Sequence, residues 1–247
     1  MKSFRILLKN ELKLNIRDMN MVIFAIIMPL VVLVILGFLN GEKPAADGAA
    51  YTFMEQSFGA LCCISICAGG LMGLPLVVSD YRERKILKRL QVTPVSPVKL
   101  LAVEFTVYVI YCVISMLTLF PAAMLFWNIR LHGSILLFLG SWLLTMISTL
   151  SIGLLVGGIA KNTKSASIIG CIMYFPMLIF SGATIPFEVL PAVMQRVIGF
   201  FPLTQGMQLM KAAFLGLPID NALLPLTVLS AVTVICFGLS VKCFQWE

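Results

Sequence analysis

Residues 58–99 read FGALCCISICAGGLMGLPLVVS followed by DYRERKILKRLQVTPVSPVK. The first part, 58–79, carries no charge, and at about 1.5 Å per helical residue it is long enough to cross a hydrocarbon core of about 30 Å. The second part, Asp80 to Lys99, is a dense basic block closed by Thr93-Pro94 and Ser96-Pro97. That alternation decides the fold class, and it holds along the whole chain. Only 12% of residues are charged, 60% are hydrophobic, and the mean hydropathy is +1.02. An all-α membrane protein follows, because a helix satisfies every backbone group within its own segment.

Six apolar runs are candidate spans: about 21–39, 58–79, 101–127, 134–159, 165–180 and 222–241. With so much of the 247 residues in the bilayer, no segment remains to build a soluble domain, so 1–247 reads as a single transmembrane domain. The first span follows about twenty residues rather than a brief basic region and has no prompt cleavage site, so it is expected to be a retained helix. Placing the N-terminus inside puts 14 of the 18 Lys and Arg residues on the cytoplasmic side, leaving Lys43, Arg130, Arg196 and Lys211 outside. An even number of spans then returns Glu247 to the cytoplasm. The net charge of +7 is thus a topology signal toward anionic inner-leaflet lipid, with no need for nucleic acid.

In residues 1–20, Lys2, Arg5, Lys9, Lys13 and Arg17 recur at helical spacing, while Phe4, Leu7, Leu8 and Leu12 gather elsewhere on the helix. The expectation is an interfacial helix with its apolar stripe at the acyl boundary. In 80–99, residues Tyr81 to Leu90 are helix formers, and Ile86, Leu87 and Leu90 form an apolar ridge flanked by Arg82, Arg84, Lys88 and Arg89. A positive-inside loop needs only the charges. The ridge and the rigid Pro turn point to a protein contact.

Residues 181–220 are too interrupted by Pro and Gly to span, yet Val189, Leu190, Val193, Val197, Phe200 and Phe201 call for burial. An outer segment dipping back into the membrane is expected, capping the outer end of a transport route. Pro29, Pro75, Pro121 and Pro176 lie inside spans, where each missing N–H leaves a carbonyl for a neighbour to satisfy. Gly69, Gly70, Gly73, Gly153, Gly157 and Gly158 permit close helix approach. The seven cysteines lie in or at the ends of spans and read as apolar fillers without a metal role.

No Gly-x-x-x-x-Gly-Lys-Ser/Thr pattern occurs, so the chain has no P-loop for ATP phosphates. Span interiors lack ionisable residues apart from Glu104, which argues against a proton- or sodium-driven carrier. Glu104 is expected to pair with Arg or Lys at the cytoplasmic rim, and His132 to be solvated beside Arg130. No nucleophile, base and orienting group are clustered, so the chain is not read as an enzyme.

The chain resembles the membrane subunits of type-2 ATP-binding-cassette (ABC-2) exporters, in particular the drug-resistance-like branch. The resemblance is carried by Tyr81-Arg82-Glu83-Arg84-Lys85-Ile86-Leu87-Lys88-Arg89-Leu90-Gln91-Val92-Thr93-Pro94 and by Phe180-Ser181-Gly182-Ala183-Thr184-Ile185-Pro186, Leu190-Pro191 and Phe201-Pro202-Leu203-Thr204. The family often has Gly-Thr where this chain has Lys85-Ile86. The resemblance implies six transmembrane helices, a coupling helix between spans 2 and 3 that fits a cleft of a separate ABC ATPase, and re-entrant outer helices between spans 5 and 6. It also implies two ATPase copies, a second permease copy or paralogue, and ATP with Mg on the ATPase rather than a cofactor on this chain. ATPase-coupling residues would be Tyr81, Arg82, Glu83, Arg84, Lys85, Ile86, Leu87, Lys88, Arg89, Leu90, Thr93 and Pro94; Gly182, Pro186, Leu190 and Pro191 would form an outer gate. Phe24, Met28, Phe58, Met72, Phe175 and Phe180, chosen by residue type and span, are candidates for an apolar route suited to an amphipathic cargo. An ATP-independent channel or scaffold is the rival, and polysaccharide or glycoconjugate export the alternative within the exporter class.

Overall fold

Segments without charge bury their backbone polar groups by forming helices, and the computed structural model shows the consequence over residues 2–17, 19–40, 43–45, 51–86, 96–180, 191–218 and 222–243. The helices are α1 (Lys2–Arg17), α2 (Ile23–Asn40), α3 (Phe53–Glu83), α4 (Pro97–Trp127), α5 (Ile135–Ile159), α6 (Thr163–Leu178), α7 (Ala192–Ile198), α8 (Pro202–Leu215) and α9 (Leu223–Cys243). Among the described residues the only β-type pairing is one bridge between Pro44 and Thr52. Among the described residues five helices, α2, α3, α4, α5 and α9, are long and apolar enough to cross a membrane. The expected crossing at 165–180 is the shorter α6, whose turns continue through Phe180.

Helix α3 is longer at both ends than 58–79. Thr52 and Glu55 close a capping box at its start: Glu55 N–H donates to Thr52 Oγ1 at 3.3 Å, and Thr52 N–H to Glu55 Oε2 at 2.8 Å. At its other end, polar side chains with partners carry it to Glu83. Helix α4 is likewise capped by Ser96, and α6 by Asn162, which accepts from Ser165 N–H at 2.8 Å.

Most of α3 and much of α5 is buried, whereas α2 and α9 turn most of their surface outward. Helix α5 is sheathed by α9, α8 and α3, so α3 and α5 form the spine of the bundle. Near the Phe53 end, Phe58 is fully buried, with ring centroids of Phe214, Phe120 and Phe138 at 5.1, 5.7 and 5.9 Å.

Two expectations are corrected by burial. The stripe Leu7, Leu8 and Leu12 of α1 packs on the bundle core instead of the acyl boundary, while Ile6, Leu14 and Ile16 are exposed with Arg5, Lys9 and Lys13. The reason is polar: Glu11 and Asn15 on the same side are buried, so that side is held by hydrogen bonds inside the bundle. Val197 and Phe200, expected to be buried, are exposed around α7, and it is Ile198 that turns inward. Helix α8, by contrast, buries Pro202 to Met207 without a break.

Candidate functional site

Successive residues of a helix point about 100° apart, and at the C-terminal end of α3 three in a row find partners on different helices. The Tyr81 hydroxyl bonds Glu11 Oε2 of α1 and lies 3.2 Å from Glu104 Oε1 of α4. Arg82 donates to Gly158 O at 2.8 Å and to Ala160 O. Those carbonyls are among the last of α5, which have no partner within their own helix, so the guanidinium both satisfies them and opposes the negative end of the helix dipole. Glu83 accepts from Thr163 N–H at 3.0 Å and Thr163 Oγ1 at 2.6 Å, placing a carboxylate at the first residue of α6. The end of α3 is thereby bolted to α1, α4, α5 and α6 at once.

Immediately beyond, Arg84 pairs with Asp80 at 2.8 Å and Lys85 takes a left-handed backbone with φ of 56°. The expected helix from Tyr81 to Leu90 is therefore broken here: Tyr81, Arg82 and Glu83 are the last turn of α3, and the chain turns at Lys85. The break closes with Arg84 N–H on Asp80 O and Lys85 N–H on Arg82 O, both at 2.9 Å. Leu87, Lys88, Arg89, Leu90, Thr93 and Pro94 lie outside the described residues.

Beside this junction a cavity of about 890 Å³ opens between residues 14–24, α3 and α6. Its apolar part is formed by Met21, Phe24, Met72, Leu76, Cys171 and Phe175, and its polar rim by Asn15, Asp80, Tyr81, Arg84 and Thr163. Two helices change pitch where they line it. The turns Ile23–Ile27 and Ala68–Gly73 are π-helical, each just ahead of a proline, Pro29 and Pro75. Pro29 has no N–H for Ala25 O, and Ser65 Oγ donates to that carbonyl at 2.7 Å instead. Pro75 likewise withdraws the donor for Leu71 O, and that carbonyl packs on Gly170 of α6, where an added Cβ would sit 2.6 Å from it. One residue earlier, Gly70 O faces Gly153 of α5, with a built Cβ only 1.8 Å away. At both glycines the backbone of α3 approaches its neighbouring helix more closely than a side chain would allow.

At the opposite end of α3, Glu55 is buried and collects three donors. Besides Thr52 N–H, Arg130 N–H reaches Oε1 at 2.9 Å and His132 Nε2 lies 3.2 Å from it. The same loop donates His132 N–H and Gly133 N–H to Phe214 O at 3.0 and 3.1 Å, tying down the end of α8. The backbone of His132 and Gly133 thus ties the 128–134 loop to α8, while the His132 side chain is exposed, as expected, with its Nε2 against Glu55 of α3.

The sequence profile of ABC-2 type transporters matches residues 2–215, which include the α3 junction, both π-helical turns and the cavity. The chain belongs to the ABC-2 type transporter family. Curated relatives of this ABC-2 chain include Nodulation protein J of Rhizobium leguminosarum bv. viciae, 31% identical over 97 residues, which are 39% of this chain and 38% of the relative. Inner membrane transport permease YhhJ of Escherichia coli is 26% identical over 132 residues, 53% of this chain and 35% of the relative. Probable multidrug ABC transporter permease YbhS of Escherichia coli is 25% identical over 159 residues, 64% of this chain and 42% of the relative. The matched stretches span 35–42% of the length of these relatives. Family and hydropathy together make this a multi-pass membrane protein of the transport-permease kind, and neither indicates an enzyme.

Of the six ABC-2 route candidates, the structure brings Phe24, Met72 and Phe175 onto the cavity. Phe58 is in the aromatic core, a correction whose reason is that three other rings enclose it. Met28 faces outward on α2, and Phe180 is half-buried at the end of the α6 turns. Tyr81, Arg84 and Ile86 line the cavity, whereas Lys85 is exposed. Among the gate candidates, Gly182, Pro186 and Leu190 lie outside the described residues, and Pro191 is the exposed residue that starts α7. Glu104 has Tyr81 for a partner and Glu11 for a neighbour, in place of the expected Arg or Lys. Sequence reasoning missed Glu11, Asn15, Ser65 and Glu55. The one available signal was that Glu11 and Asn15 are polar residues one turn apart beside the Leu stripe.

Proposed function

We propose that this chain is the permease half of an ATP-driven exporter, and that the cavity beside the α3 junction is the inner part of the route for a hydrophobic or amphipathic cargo. The observation that carries the reading is that Asp80, Tyr81, Arg84 and Ile86 line the cavity and lead directly into the basic stretch 87–99 of an ABC-2 family member. An apolar chamber with a polar mouth suits a molecule with a greasy body and a polar head. The YbhS relative, a probable multidrug permease, favours the same cargo class.

In this reading α6 is the fifth of six crossings, with its short length completed by the turns to Phe180, and both termini are cytoplasmic. Two copies of an ABC ATPase, carrying ATP and Mg, dock on Tyr81 to Pro94, and a second permease copy or paralogue completes the route. Residues Gly182, Pro186, Leu190 and Pro191 close it on the outside.

The test is an affinity pull-down from mild detergent with mass spectrometry, comparing wild type with Leu87→Asp and Leu90→Asp. An ABC ATPase recovered with wild type and lost with the variants is the expected result. Recovery of no ATPase by an intact wild-type bundle refutes the reading in favour of a channel or scaffold.

A further inference from the structure

Glu11, Tyr81 and Glu104 come from α1, α3 and α4, and meet at one point. Tyr81 has a single phenolic proton, yet its oxygen is within hydrogen-bonding reach of a carboxylate oxygen of each acid. The two carboxylates are thus within about two hydrogen-bond lengths of one another. Glu104 is 0% exposed and Glu11 7%, and Glu104 Oε2 has no donor.

No compensating cation reaches either acid in the described hydrogen bonds and ion pairs. On α1, Arg5, Lys9 and Lys13 are exposed, and the amide of Asn15 donates to the backbone carbonyl of Glu11 at 3.1 Å. On α3, Asp80 and Arg84 hold each other, Arg82 reaches across to α5, and Glu83 reaches α6. On α4, Lys99 lies five residues before Glu104, about 7.5 Å along the axis, and Tyr108 is one turn beyond it. Two ionised carboxylates out of water around one hydroxyl would repel each other, and the hydroxyl can neutralise neither. With one acid protonated the set closes: the acid O–H supplies the missing donor, and the remaining charge is shared by two hydrogen bonds.

We propose that Glu11 and Glu104 hold one bound proton between them beside Tyr81, so that α1 docks on α3 and α4 with that proton in place and undocks when it leaves. On undocking, the O–H bond of the acid breaks, the proton passes to bulk water, and two hydrated carboxylates remain. The proton site stands apart from the exporter reading. Its link to a transport stroke rests on that reading, because a push on Tyr81 through the coupling segment would open the same contact and make the stroke proton-linked.

The test uses the full chain in lipid nanodiscs, with two measurements. Infrared spectra are recorded through a pH titration for wild type, Glu104→Gln and Glu11→Gln, reading the carbonyl stretch of a protonated carboxylic acid. At about pH 7 exposed carboxylates are ionised, so wild type is expected to keep one such band and each Gln variant to lose it. In parallel, spin labels at Lys9→Cys on α1 and Val98→Cys on α4, both exposed, report the separation of the helices. In wild type the distance lengthens as pH is raised to about 9, whereas with Glu104→Gln, which is neutral at every pH, it stays at its short value. A wild type without the band at about pH 7 overturns the proposal, as does a band that survives in both variants. So does a wild-type distance that ignores pH, or a Glu104→Gln distance that tracks it equally.

Discussion

Replacing Gly153 with Ala sets one methyl group against the backbone of α3. The added Cβ would lie 1.8 Å from Gly70 O and 3.0 Å from Gly70 C, while ordinary contact begins at 3.4 Å. Helices α3 and α5 must therefore separate locally by about 1.6 Å, because the opposing atom is a carbonyl and has no rotamer to escape into. That gap opens along the two most buried helices, and overpacking of this kind costs about 3 kcal/mol, the upper part of its usual range. Gly140→Ala is the control. It lies on the same helix with nothing within 4 Å of its built Cβ, so Ala should stabilise by about 0.5–1 kcal/mol through helix propensity alone. Thermal unfolding in one detergent, followed by the burial-sensitive reactivity of the native cysteines, compares the two. The expected result is a clearly lower midpoint for Gly153→Ala and an unchanged or higher one for Gly140→Ala. Equal midpoints would refute the close backbone contact, and with it the reason given for glycine at 153.

Ser65→Ala leaves Ala25 O without a donor and should destabilise by about 1–3 kcal/mol; in a Pro29→Ala background, which returns an N–H to that carbonyl, the same substitution should cost far less in a double-mutant thermal unfolding cycle. Arg82→Lys can reach only one of the two carbonyls at the end of α5, so a loss of about 1.5–3 kcal/mol is expected by thermal unfolding, and an unchanged midpoint would show that the second bond contributes nothing. Glu55→Gln replaces one of two acceptor oxygens that together serve three donors, and should raise proteolytic nicking in the 128–134 loop, read by limited proteolysis and mass mapping.

Five of the six expected spans were legible because a charge-free run of bilayer length admits few alternatives, and the missing donors of Pro29 and Pro75 were legible because they are a property of the residue itself. Which group answers that need was not. Ser65 lies 40 residues from Ala25 in the chain, and its hydroxyl could equally have turned back on its own helix. Phe58 and Phe24 look alike by type and hydropathy, yet one is enclosed by three rings and the other lines a cavity, a difference set entirely by helix rotation. Glu104 misled for a related reason. A rim carboxylate surrounded by so many Lys and Arg residues invites a cation partner, but Arg5, Lys9 and Lys13 are exposed and the buried side of α1 offers Glu11.

On the proposed reading, the arrangement of α3 explains how a displacement at the coupling segment would reach the cargo route. Tyr81, Arg82 and Glu83 fasten the end of α3 to four helices, so a force on Arg84 to Ile86 cannot move α3 alone. Farther along, α3 has the π-helical turn Ala68–Gly73 followed by Pro75, which has no N–H to donate, and there it packs closely on Gly153 and Gly170. On that reading bending would concentrate at 68–73 while the end of α3 moved as a block with its partners. Ala68 and Met72 lie on that joint and face the cavity opposite Phe24, itself on the π-helical turn of α2. The apolar chamber is thus walled in part by the two π-helical turns, and its polar rim includes the turn of α3 that bonds to four helices. A push at the rim would change the shape of the chamber before it disturbed the rim.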